Sequence, residues 1–196
     1  TLSSSSAASD VYKRQTVLTW ALHWIHRQDE VREALLAELA GCNNPDDPEE
    51  IQRLPYLSAV VYEVLRIHPV AMLLFPRLVE EPLQLAGWAF EPGDVLFGCI
   101  QAVHQRAELY PDPGAFRPER FLERSYGPGE FLPFGGGARR CIGAALALYE
   151  VKLILATLLR QHRLALTPGC GRPLPPRRRG FILGPSRPVS LRVLQA

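Results

Sequence analysis

The stretch from Phe134 to His162 constrains this chain most. A nearly unbroken series of Ala and Leu between Ala144 and His162 predicts the strongest helix in the sequence, apolar enough for burial on most faces. It is entered through Phe134-Gly135-Gly136-Gly137-Ala138-Arg139-Arg140-Cys141-Ile142-Gly143. Consecutive glycines let the backbone approach something flat or bulky at close range. Cys141 falls at the expected helix start, where unpaired amides and the helix dipole favour a thiolate. Arg139, two residues earlier, offers a fixed positive charge to a carboxylate or phosphate.

A glycine-rich helix entry can also cradle phosphate. The order G-x-x-x-x-G-K-[ST] is not met, because no Lys-Ser or Lys-Thr occurs. A dinucleotide fingerprint needs a preceding strand and an acid about twenty residues on; Pro133 precedes the glycines and no acid lies near that spacing. What remains is a soft thiolate beside a glycine platform and an anion-binding arginine. That set suits a metal cofactor carrying acidic groups, and haem is one, with iron for the sulfur and propionates for the arginine. The other cysteines, Cys42, Cys99 and Cys170, are scattered without a C-x-x-C pair. They read as buried apolar residues of a protein from a reducing compartment.

The remaining chain reads as an ordinary globular sequence, 196 residues long, 47% hydrophobic and 21% charged. No apolar run approaches the roughly 18 residues that span a bilayer, and no signal peptide is expected. The net charge of +2 hides an asymmetry, since Glu150 is the last acidic residue. Arg177, Arg178 and Arg179 form a basic block flanked by Pro175, Pro176 and Gly180, read as a solvated loop; no nucleic-acid partner is expected.

Residues 1–15 (TLSSSSAASDVYKRQ) differ in composition from the rest of the chain. They resemble a translated sequencing-adapter artefact, with a disordered tail as the alternative. Residues 16–196 are expected to be the C-terminal fragment of a single domain. Within it, Thr16 to Ile25 is helix-compatible, Asp29 is a candidate cap for a second helix stopped by Gly41, and CNNPDDPEE reads as a loop. Leu54 to His68 reads as a helix ended by Pro69. Short aromatic and β-branched runs between Met72 and Ile100 suggest a small antiparallel sheet. Residues 105–135 read as a long ordered loop, and the C-terminus as a final hairpin.

The segment Phe134–Gly143 resembles the cysteine-ligand signature of the cytochrome P450 superfamily, F-x-x-G-x-R-x-C-x-G, with Ala147 at the following small position. Glu63-Val64-Leu65-Arg66 is similar to the family's E-x-x-R helix, and Phe116-Arg117-Pro118-Glu119-Arg120-Phe121 to its P-E-R-F loop. Leu109-Tyr110-Pro111-Asp112-Pro113 is similar to the approach to that loop. Glu63 and Arg66 alone would read as a common i, i+3 ion pair worth a few tenths of a kcal/mol; the three marks in order are much more specific.

The resemblance implies a mainly α fold with small antiparallel β-sheets, and this chain as the C-terminal half of it. It implies haem b with Cys141 as axial thiolate, Phe134, Gly135 and Gly143 around it, and Arg139 and Arg77 as propionate contacts. Glu63, Arg66 and Arg120 would form a buried network bracing the cysteine loop. Val70, Ala71, Met72, Leu73 and Leu74, with Phe181, Ile182 and Leu183, would line a pocket for a hydrophobic small molecule, ordinary core being the alternative. The activity implied is monooxygenation with O2, fed by NAD(P)H through a reductase and a ferredoxin- or flavodoxin-type donor, in a monomeric bacterial cytoplasmic protein. The family's distal acid–threonine pair has no counterpart before Thr16. An isomerase or peroxygenase, or a non-catalytic haem-binding remnant, therefore stays open.

Overall fold

Trp20, Ala21 and Ile25 are fully buried along one side of helix α1 (Ser6–Arg27). The computed structural model describes residues 6–180 and 182–195. Composition sets residues 1–15 apart, yet from Ser6 onward they continue α1 without a break. Ala7, Ala8, Lys13, Arg14 and Gln15 are good helix formers, and Arg14 pairs with Glu150 at 2.6 Å.

Helix α2 (Asp29–Ala40) presents Val31, Leu35 and Leu39 to the core. Its N-cap is Gln28, and Asp29 lies in the first turn, where it pairs with Arg32 at 2.8 Å. A carboxylate there favours the helix through the dipole without capping it. The expected loop after Gly41 contains a short helix, α3 (Pro48–Arg53), because Asp47 Oδ1 accepts from Glu49 N and Pro48 occupies the first turn.

Helix α4 (Pro55–Ile67) is the axis of the fold. Its residues from Leu57 to Ile67 are buried on nearly every face, against α1 and α2 among others. Its N-terminus is capped from outside: Glu38 of α2 accepts from Tyr56 N at 2.6 Å and Leu57 N at 2.8 Å. It stops at His68, before Pro69, as the proline requires.

The Met72–Ile100 region forms two separate antiparallel ladders. β1 (Arg77–Leu78) pairs with β4 (Val95–Leu96), and β2 (Leu83–Leu85) with β3 (Trp88–Phe90). The second turns on Ala86 and Gly87, both at positive φ (51° and 84°), the two-residue geometry that matches strand twist. Helix α5 (Ile100–His104) follows, and the long connection after it is irregular apart from α6 (Arg120–Glu123).

Helix α7 (Ala144–Gln161) exists as expected but is buried on one stripe: Ala144, Val151, Lys152, Leu155, Ala156 and Leu159. Leu146, Tyr149 and Ile154 are exposed. An Ala/Leu run reports helix propensity as much as burial, and this run supplies both. The expected final hairpin resolves into two nested pairings. β5 (Arg163–Leu166) pairs with β8 (Leu191–Gln195), enclosing β6 (Pro176–Arg179) paired with β7 (Ile182–Pro185). Arg177 and Arg178 remain exposed, but on strand β6 rather than in a loop. No helix among the described residues is long and apolar enough to cross a membrane.

Candidate functional site: a cysteine loop hung on a buried ion network

Glu63 and Arg66 lie on the buried side of α4 and are both fully inaccessible, with Arg120 nearly so. Arg66 Nε donates to Glu63 Oε2 at 2.7 Å and Nη2 to Oε1 at 2.8 Å, a bidentate pair. Arg66 Nη1 also donates to the His104 and Pro113 carbonyls, and Nη2 to that of Ala115. All five guanidinium protons therefore have acceptors. Glu63 Oε1 further accepts from Arg120 Nε at 3.0 Å and from the Arg117 backbone N–H at 2.9 Å. Arg120 Nη1 reaches the Pro111 carbonyl at 3.2 Å. Burying these charges is tolerable only because each is paired and hydrogen-bonded. The network pins the irregular segment 111–120 to the helix, so a long loop is held without regular structure of its own.

The cysteine loop leaves this frame at Leu132. Gly135 N donates to the Leu132 carbonyl (3.0 Å) and Cys141 N to the Phe134 carbonyl (2.9 Å), closing the loop on itself. Gly135 and Gly137 sit at φ of 73° and 62°, where a side chain would be strained. Gly143 is the N-cap residue of α7, and a Cβ there would lie 4.0 Å from Cys141 Sγ. Cys141 thus lies two residues ahead of the cap, not at the helix start, and it is exposed. Arg139 is exposed in the short turn before it, and Phe134 is half-buried against the core. The other cysteines are not core residues: Cys99 is exposed, and Cys42 and Cys170 are half-buried where each thiol has a polar neighbour, Glu50 and Thr167.

The two lining segments come together. Leu183 N donates to the Val70 carbonyl at 3.1 Å and Ala71 bridges Ile182; Phe181 lies outside the described residues. On the other side, Leu73 bridges Cys99 and Leu74 N donates to the Gly98 carbonyl at 2.8 Å. Met72 accepts from Gln101 N at 3.3 Å. A Cβ on Gly98 would meet Leu74 Cδ1 at 2.6 Å, and one on Gly135 would meet Leu74 Cδ2 at 3.4 Å. Leu74 therefore joins the lining segment to the cysteine loop, a contact with no sequence signature. Val70, Ala71, Met72 and Leu74 are half-buried or partly exposed, Leu73 is exposed and Leu183 is buried. Arg77 on β1 is exposed, with Nη1 3.3 Å from the Pro76 carbonyl. No hydrogen bond among the described residues links it to the loop.

The family model for cytochrome P450 matches residues 15–192. This chain belongs to the cytochrome P450 family. Relatives include putative cytochrome P450 135B1 of Mycobacterium tuberculosis, 36% identical over 91% of this chain and 36% of the relative. Mitochondrial sterol 26-hydroxylase of Rattus norvegicus is 31% identical over 91% of this chain and 35% of its own length. Steroid 21-hydroxylase of Canis lupus is 36% identical over 84% of this chain and 34% of its own. The crystallised cytochrome P450 CYP102L1 superposes with a TM-score of 0.80 at 31% identity, over 92% of this chain and 42% of that one. This P450 chain thus spans about a third of the length of its curated relatives, and its mainly α architecture with small antiparallel sheets is that of the family.

Family membership implies a haem cofactor, and the residues present fit one. Cys141 offers a soft, exposed sulfur. Arg139 and Arg77 are exposed, and neither pairs with a carboxylate among the described residues. Phe75, Phe97, Ile142 and Leu146 are exposed, large apolar side chains of the kind that mark a surface made to be covered.

Proposed function

We propose that the protein containing this chain is a haem-thiolate monooxygenase that inserts one oxygen atom of O2 into a hydrophobic small molecule, the other leaving as water. Two electrons come from NAD(P)H through a reductase and a ferredoxin- or flavodoxin-type donor. Haem supplies the oxygen chemistry when bound, with a thiolate ligand favouring O–O cleavage. Cys141 provides that thiolate from a loop whose glycines leave its sulfur open. Arg139 and Arg77 would hold the propionates through the forked donors of their guanidinium groups. Glu63, Arg66 and Arg120 fix the loop's base without touching the reacting atoms. The Val70–Leu74 segment presents apolar surface that would exclude water from a hydrophobic substrate, with Leu183 packed behind it.

One observation carries this reading: an exposed cysteine in a glycine loop, anchored to a fully buried Glu63–Arg66 pair, in a chain matched to the family over residues 15–192. The test is a reduced carbon monoxide difference spectrum of the complete protein, then coupled consumption of NAD(P)H and O2. A thiolate-type band with coupled consumption is expected. A thiolate-type band with no O2 use under any donor would move the assignment to an isomerase or peroxygenase. Haem uptake with no turnover of any of these kinds would leave the non-catalytic haem-binding remnant, and no haem uptake at all would overturn every reading that rests on Cys141.

A further inference from the structure

His104, the last residue of α5, is fully buried and belongs to no motif read from the sequence. Both of its ring nitrogens are engaged. Nε2 accepts from the Leu132 backbone N–H at 3.1 Å, and Nδ1 lies 3.2 Å from the Arg66 carbonyl. An amide proton on Leu132 requires a lone pair at Nε2, so the proton sits on Nδ1 and is donated to Arg66. One neutral tautomer makes both bonds. Arg66 returns the contact, donating from Nη1 to the His104 carbonyl at 2.9 Å. The ring stacks on Phe131 (centroids 5.5 Å apart, planes at 25°) and meets Tyr110 edge-on.

His104 thus stands between the helix that carries the ion network and the residue from which the cysteine loop springs. The connection continues as a series of hydrogen bonds: Leu132 carbonyl to Gly135 N, then Phe134 carbonyl to Cys141 N. We propose that His104 is a positioning residue for the thiolate, clamping the Phe131–Phe134 segment to α4 and so fixing where Cys141 Sγ stands. This rests on the reading of Cys141 as the axial ligand. Two other buried histidines make the contrast. His23 and His68 have no hydrogen-bond partner on either ring nitrogen among the described residues. Burial in this core therefore does not by itself force an imidazole into directed bonds, and the two at His104 specify a geometry. Burial above all holds its pKa down to about 4, in keeping with the neutral ring.

The test uses two substitutions in the complete, haem-loaded protein that divide the two bonds. In His104→Gln, Oε1 reaches the Nε2 position and still accepts from Leu132 N–H. In His104→Asn, the amide stays near the Nδ1 position, keeps Arg66 and abandons Leu132. Leaving a buried N–H unpaired is expected to speed conversion of the thiolate-type carbon monoxide band to the thiol-type band about tenfold in the Asn variant. The Gln variant is expected to stay near wild type. Haem content and the unfolding midpoint, measured alongside, report general damage. Equal behaviour of the two variants, or wild-type conversion in both, overturns the positioning role. Absence of a thiolate-type band in the wild-type protein overturns it together with the assignment of Cys141.

Discussion

The Glu63 network and the Cys141 loop are a few hydrogen bonds apart and are built on opposite principles. At the network every charge is buried and nearly every donor is used, with Arg120 Nη2 the one orphan in it among the described residues. At the loop the cysteine is exposed, backbone bonds are sparse, and glycines replace side chains that would fill space. The first is a finished piece of structure whose value is rigidity. The second is surface left open for a group that brings its own apolar area and acidic arms. Rigidity and openness are separated in sequence, joined through His104 and Leu132, so the loop stays open without being slack.

Substitutions break the two regions in different ways. Arg66→Ala has the largest expected effect. It leaves Glu63 buried with Arg120 as its one charged partner and strands three carbonyls, a loss of about 3–5 kcal/mol, a large fraction of a typical domain's stability. The complete protein is expected to accumulate haem-free and aggregated, as absorbance and size-exclusion chromatography would report; normal haem content would remove the bracing role. Arg66→Lys is expected to fare little better, since one ammonium cannot serve five acceptor directions. Cys141→Ser is the converse case. The side chain is exposed, so stability changes by under about 0.5 kcal/mol, while the thiolate-type band is lost entirely.

A third, intermediate effect depends on pH. His23 has its pKa held down to about 4 and His68 to about 3, each by burial first. Arg27 and Arg187 then act on His23, and His23 and Arg66 on His68. Folded, both rings are neutral; unfolded, they protonate below the ordinary value of 6.5. Stability from this source is unchanged above pH 6.5 and falls as pH drops from there towards the folded values. His68→Phe keeps the stack on Trp20, whose ring lies 3.6 Å away, and is expected to flatten the fall. Urea midpoints measured on both sides of pH 6.5 read it, and an unchanged slope would discard this source. Arg139→Ala should have the smallest effect. An exposed ion pair contributes about 0.2–1 kcal/mol, so haem transfer to an acceptor protein is expected to quicken only a few-fold.

What the sequence discloses depends on how local each signal is. Glu63 and Arg66 are three residues apart on one helix, so their pairing is written into the helical repeat. Arg120 is 57 positions from Glu63 and is reached only through resemblance. His104 is invisible in the sequence because its partners, Arg66 and Leu132, lie 38 and 28 positions away. The exposed half of α7 escapes sequence reading because alanine and leucine favour a helix whether or not anything covers them. Arg177 and Arg178 look like a loop from their prolines, but Pro176 is compatible with a strand's first residue. The structure sets Cys141 slightly ahead of its expected place because nothing local marks Gly143, two residues later, as the cap.

The distances along the chain at the Glu63 network also set an order of events during synthesis. Arg66 needs acceptors 38 to 49 positions downstream, and Glu63 needs Arg120 at 57. At roughly 5–20 residues per second on the ribosome, α4 emerges several seconds before its charges can be closed over. Throughout that interval its most buried face is the one that must remain in water. The nascent helix is therefore soluble on the side that later becomes the driest part of the protein, and its final collapse waits for residue 120 to arrive.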